Sequence, residues 1–129
     1  EQRTMTRSIL SALGIEVYVE SEHYLDVATA ISGSGPAYVF LFIEALTDAG
    51  VELGFPRDIA ARLAVQTVKG SAIYAEQSGQ HPAILRNQVT SPGGTTAAAL
   101  YEFERGAFRA VIASAAKAAY RRAQELGTR

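Results

Sequence analysis

The residues best placed to do chemistry are Val89-Thr90-Ser91-Pro92-Gly93-Gly94-Thr95-Thr96, followed by Ala97-Ala98-Ala99-Leu100. Proline and two glycines hold the backbone in a tight, side-chain-poor turn, and strong helix formers follow. The first N–H groups of such a helix have no internal partner and lie at the positive end of its dipole. They can hold a small anion such as a carboxylate. Ser91, Thr95 and Thr96 add hydroxyls that donate or accept. The competing reading is an ordinary helix-capping turn that binds nothing, since Gly and Thr are common at caps.

Other chemistries fail on spacing. Gly33-Ser34-Gly35 has Tyr38 where a dinucleotide fingerprint needs its third glycine, and no strand leads into it. No phosphate-binding Gly-Lys-Ser/Thr loop or Gly-x-Ser-x-Gly elbow occurs. Glu102 and Glu104, two apart on a helix, diverge and read as solvated charges. The chain has no cysteine, and His23 and His81 lie far apart, so neither a thiolate site nor a histidine metal motif is expected. What remains is two small-residue, hydroxyl-bearing loops, Ser32 to Pro36 and Ser91 to Thr96, each opening a helix. That pattern fits a small anionic ligand whose reactive partner comes from elsewhere.

The elements that position these loops follow from the pattern of 129 residues, 48% hydrophobic and 19% charged, enough for one sizeable core. With 12 basic and 13 acidic residues and a net charge of -1, no basic stripe for nucleic acid is expected. The longest apolar run, Ala37 to Ile43, falls short of a membrane span, and the lack of cysteine fits a reducing, cytoplasmic setting. Glu1 to Leu13 reads as an amphipathic helix. Ile15 to Glu20 alternates at period two and reads as a strand, but an orphan one, because no other segment alternates. Its partner sheet is expected upstream in a longer parent protein, or in another copy.

Ser21 to Ile31 is helical in composition, and Pro36 suits the first turn of a helix that is apolar nearly all round, through Leu46 to Gly50 or Gly54. Phe55-Pro56-Arg57-Asp58 opens another, running to Tyr74 and stopping near Ser78-Gly79. His81-Pro82 begins a short one, Thr96 to Glu104 another with Gly106 as its cap, and Ala107 to Leu126 the last. Ala97-Ala98-Ala99, Ala110, Ala113, Ala115-Ala116, Ala118-Ala119 and Ala123 favour helix but each buries little area. Large contacts must compensate, which points to an interlocked oligomer with a shared core. A compact monomeric bundle is the alternative.

Asn87 to Thr96, with Leu100 and Glu102 behind it, closely resembles the signature of pyrroline-5-carboxylate reductases. Ser32-Gly33-Ser34-Gly35-Pro36-Ala37-Tyr38, Gly54-Phe55-Pro56 and Gly106-Ala107-Phe108-Arg109 resemble the same family in the same order, and the likeness runs from about Leu10 to Leu126. It implies an all-α, interlocked dimerisation domain over residues 23–129, with residues 1–22 as the helix-and-strand tail of an N-terminal dinucleotide-binding domain. It implies the reduction of 1-pyrroline-5-carboxylate to L-proline with NADPH or NADH, the cofactor held mainly by that other domain and by none of these residues. By the resemblance, Ser91, Gly93, Gly94, Thr95 and Thr96 hold the substrate carboxylate, and Thr96 is the catalytic-site residue that orients the ring nitrogen or relays its proton. Ser32 and Ser34 border the site. Some members carry a glutamate just before the His-Pro pair; here Gly79-Gln80 stand there, so that role is not transferred. The partners implied are a second copy, with dimers assembling further into decamers, and the small substrate, with no nucleic acid, membrane or metal.

Overall fold

The computed structural model describes residues 2–127. Among these residues seven α-helices follow one another: α1 Gln2–Leu10, α2 His23–Ala28, α3 Gly35–Glu52, α4 Arg57–Ser78, α5 Pro82–Gln88, α6 Thr95–Arg105 and α7 Phe108–Gly127, with a π-helical turn at Thr29–Gly33 between α2 and α3. The all-helical expectation holds. The first helix is shorter than the expected Glu1 to Leu13, ending at Leu10, and Glu1 lies outside the described residues.

The expected strand Ile15 to Glu20 is a correction: residues 15–19 adopt no regular structure, and no strand occurs among the described residues. Alternation makes a strand only where a neighbour completes the ladder, and the described residues supply none. The segment instead folds back on α1. Arg7 donates through Nε to Glu16 at 2.7 Å, and the Arg3 guanidinium sits 4.8 Å from the centre of the Tyr18 ring, a cation–π arrangement.

α3 and α4 form the central hairpin, packed against each other. Asp58 lies in the first turn of α4, and Gly79, at φ 62°, ends it in the left-handed conformation. The two helices approach closely because Gly50 faces Ala60: a Cβ at position 50 would stand 3.0 Å from the Ala60 Cβ. Gly50→Ala should therefore wedge the hairpin open and cost about 1–3 kcal/mol despite the gain in helix propensity; a higher melting temperature would contradict this. Thr47, buried in the same seam, donates its hydroxyl to the Ile43 carbonyl at 2.7 Å.

The π turn replaces the loop expected at Ser32 to Pro36. Ser34 N–H reaches back five residues to the Thr29 carbonyl at 2.7 Å, and the Ser32 hydroxyl donates to the Ala28 carbonyl at 2.9 Å. The Tyr38 hydroxyl donates to the Ala30 carbonyl at 3.1 Å, tying the turn to α3. α7 packs on this turn and on α2, and α6 packs on α7. At the start of α2, His23 meets α7: the Tyr120 hydroxyl lies 3.1 Å from His23 Nδ1 and accepts from Gln124 Nε2 at 2.9 Å.

These contacts leave little core inside one chain. Among the described residues, only Ala30, Thr47, Ala60 and Ala64 are buried. Phe40 and Leu41, in the middle of the apolar helix α3, are 67% and 66% exposed. The accessible surface is 10487 Å², whereas a compact monomer of 13.7 kDa exposes about 6,600 Å². A helical chain that leaves Val39, Phe42, Leu46, Leu63, Val65, Phe103, Phe108 and Ile112 uncovered has not satisfied its hydrophobic driving force by itself. The helical run His23–Glu52 is long and apolar enough to cross a bilayer by length and composition alone. The same composition is what a helix buried between subunits needs.

Candidate functional site

The turn at Ser91 to Gly94 has a defined geometry. Gly94 N–H donates to the Ser91 carbonyl at 3.1 Å, closing a four-residue turn with Pro92 second and Gly93 third. Gly93 has φ 68°, the left-handed value that the third position of a type II turn requires. Gly94 then adopts an extended conformation, φ -80° and ψ 173°, as the N-cap of α6, and no side chain caps the helix. Its carbonyl accepts the Ala98 N–H at 3.2 Å, so the helix starts immediately.

The expected binding residues Ser91, Gly93, Gly94, Thr95 and Thr96 therefore lie together at one helix N-terminus. Ser91, Gly93 and Thr95 are exposed, and Gly94 and Thr96 are half-buried. Gly94 has a second reason to be glycine: a Cβ there would collide with the Ser91 hydroxyl oxygen and stand 3.2 Å from the Ser91 carbonyl oxygen. The serine hydroxyl thus lies against the helix start only because position 94 has no side chain.

The π turn engages the Ser32 hydroxyl, which is therefore not a free loop hydroxyl of the same kind, whereas at Ser34 it engages only the backbone N–H. The π turn and α6 nonetheless flank one groove of about 680 Å³, whose apolar wall includes Ile31, Phe42, Leu100, Phe103, Phe108 and Ile112. Arg86, Glu104 and Arg109 form its polar rim. Arg109 Nε donates to both Glu104 carboxylate oxygens, at 2.8 and 3.1 Å, and this bond holds the Glu104 carboxyl below its ordinary range, with the charges of Arg109 and Arg86 acting the same way.

A group whose folded value is depressed contributes stability above its ordinary titration range and loses that contribution as pH falls through the lowered value. In a carboxyl NMR titration, Glu104 should titrate below the ordinary 4.5, and Arg109→Leu should return it upward; an unmoved midpoint would mean the pair does not persist in water. Glu102, which reads as a solvated charge beside Glu104, pairs with Arg105 at 2.5 Å on the surface.

Sequence reasoning missed three features here. The Thr90 hydroxyl donates to the Arg86 carbonyl at 2.6 Å. Gln88 bridges α5 to the end of α4, accepting from the Tyr74 hydroxyl at 3.4 Å and donating to Gln80 Oε1 at 3.1 Å. His81 serves as a cap, its Nδ1 accepting the Ala83 N–H at 3.1 Å. A His-Pro pair opening a short helix is a readable signal for that last role; the Gln88 bridge needs the tertiary structure, and the Thr90 bond needs the end of α5 to be known.

Among the described residues, no group of three or more histidine, aspartate or glutamate side chains could hold a metal ion. The Gly33–Gly35 segment joins the π turn to the start of α3, without the strand-turn-helix frame that cradles a dinucleotide.

A family model described as pyrroline-5-carboxylate reductase dimerisation matches residues 22–126. The pyrroline-5-carboxylate reductase of Synechocystis is 50% identical over 127 residues, spanning 98% of this chain and 47% of that protein. That of Arabidopsis thaliana is 46% identical over 126 residues, spanning 98% of this chain and 45% of its own length. Among solved structures, a pyrroline-5-carboxylate reductase from Coxiella burnetii superposes with a TM-score of 0.93 at 43% identity, covering 97% of this chain and 46% of that one. The Plasmodium falciparum pyrroline carboxylate reductase, crystallised with NADP bound, gives 0.89 at 40% identity, with 97% and 47% covered. The chain spans about half the length of the curated relatives it matches. Its all-helical fold, the turn that delivers α6 and the match over residues 22–126 meet in one assignment: the chain belongs to the pyrroline-5-carboxylate reductase dimerisation family.

Proposed function

We propose that this chain is the C-terminal, subunit-joining and substrate-holding part of a pyrroline-5-carboxylate reductase, which reduces 1-pyrroline-5-carboxylate to L-proline in the cytoplasm. The observation that carries this reading is the uncapped α6 N-terminus, delivered by a rigid turn, with the Ser91, Thr95 and Thr96 hydroxyls making no hydrogen bond among the described residues. We assign residues 23–129 to the dimerisation and substrate-holding domain. Residues 1–22 are assigned to the tail of the dinucleotide-binding part.

NADPH or NADH, bound by that other part, supplies the hydride. The residues of this chain do the positioning. The Gly94, Thr95 and Thr96 backbone, with the Ser91 hydroxyl, holds the substrate carboxylate at the positive end of α6. The Thr96 hydroxyl faces the ring nitrogen and orients the ring; threonine is a weak proton source, so orientation is its main task. The fixed dipoles act more strongly once a second subunit and the other domain exclude water. The subunit contact is a homodimer formed across the uncovered apolar face, on which decamers build.

The test is a titration of the chain with proline or a carboxylate-bearing ring analogue, read at the amide signals of Gly93 to Thr96. Saturable shifts confined to those amides are expected. Unmoved signals would favour the second reading, a non-enzymatic helical oligomerisation module that keeps the turn only as a cap.

A further inference from the structure

We infer that Thr90 is a positioning residue for this site: its hydroxyl clamps the end of α5 and so sets where the α6 N-terminus points. The inference rests on the reading of the site given above and adds a residue that touches no ligand.

The helix that ends just before the turn has four carbonyls without helical partners. Val89 N–H reaches the Arg86 carbonyl at 3.3 Å and Thr90 N–H the Asn87 carbonyl at 3.1 Å. The short bond in this cluster is from the Thr90 hydroxyl to the Arg86 carbonyl, at 2.6 Å. It is the one side-chain hydrogen bond made between Val89 and Ala97 among the described residues. Thr90 is half-buried, whereas the next three residues, Ser91, Pro92 and Gly93, are exposed. An exposed turn with no packing of its own takes its orientation from the anchors at its two ends.

At the far end, the Ser91–Gly94 and Gly94–Ala98 backbone bonds join the turn rigidly to α6. At the near end the anchor is Thr90, and α5 itself is tied to the end of α4 through Gln88, Tyr74 and Gln80. Orientation thus passes from the α3–α4 hairpin through α5 and Thr90 to the N–H groups that hold the carboxylate. A small misplacement of donors that bind an anion weakens binding, and because Thr96 sits on the same helix start it slows the chemical step as well.

The experiment compares Thr90→Val and Thr90→Ser in the complete reductase. Valine keeps the branched shape and deletes the hydroxyl; serine keeps the hydroxyl. The expected result is a KM for 1-pyrroline-5-carboxylate raised about fivefold in Thr90→Val, in line with the loss of one short hydrogen bond. In the same variant the KM for NAD(P)H should change less than about twofold, and kcat should fall by less than in Thr96→Ala, since Thr96 moves with the α6 N-terminus but keeps its hydroxyl. Thr90→Ser should restore the KM, and amide hydrogen exchange in the peptide spanning residues 89–98 should quicken in the valine variant alone.

An unchanged KM in Thr90→Val overturns the inference. So does an equal defect in both variants, or a parallel loss of kcat, both KM values and melting temperature, which marks a merely structural role. An unmodified enzyme that does not reduce 1-pyrroline-5-carboxylate defeats the reading of the site instead. The exchange of the 89–98 peptide then still decides whether Thr90 holds the turn.

Discussion

Leu46→Glu should convert the protein to a monomer. Leu46 shares one face of α3 with Val39 and Phe42, and all three are uncovered within a single chain. A glutamate there costs the isolated chain little, since leucine and glutamate are both good helix formers and the position faces solvent. In a shared core the same carboxylate would be desolvated without a partner, at a cost of several kcal/mol. Each 1.4 kcal/mol is tenfold in affinity, so the dissociation constant should rise by about a thousandfold or more. Sedimentation together with far-ultraviolet circular dichroism checks this: helix content retained, association lost. A variant that still associates would place the contact on another face.

The second large effect is expected at the turn. In the complete reductase, Thr96→Ala should lower turnover by about tenfold or more if the hydroxyl orients the ring, each ~1.4 kcal/mol of transition-state stabilisation being tenfold. Gly94→Ala should be worse for substrate binding, because the new Cβ occupies the place of the Ser91 hydroxyl and presses on the Ser91 carbonyl. That change displaces the Ser91 hydroxyl and distorts the backbone donors at once, so KM for the pyrroline should rise by about a hundredfold. Steady-state kinetics in both substrates decides it. Unchanged kinetics in Thr96→Ala would remove that residue from the mechanism, and unchanged KM in Gly94→Ala would move the carboxylate away from α6.

The helices were readable because their punctuation is local. Pro36 in the first turn of α3, Asp58 early in α4, Gly79 after α4 and the Ser91–Gly94 turn each act through their own backbone. The alternation at Ile15 to Glu20 is equally plain, yet it describes a surface that a neighbouring strand would complete, and no such strand occurs among the described residues.

The π turn at Thr29–Gly33 was invisible because its stability comes from Tyr38 and from packing against α7, both contributed by other elements. Gly106 reads as the cap of α6, and it does end that helix, but the left-handed residue is Ala107, at φ 56°. Gly106 is small for a different reason: a Cβ there would approach the Glu102 carbonyl at 3.2 Å. In the site, the turn and its hydroxyls were legible from residue types alone. Thr90 was not, since a threonine that bonds four residues back looks like any other until the helix before it is known to end there.

The shared core is the central claim, and the solution mass of this chain measures it most directly. Sedimentation equilibrium over a wide concentration range should return twice the 13.7 kDa chain mass, or a larger even multiple. A well-folded monomer at every concentration would contradict it, for then the apolar faces of α3, α6 and α7 would stand in water with nothing to cover them.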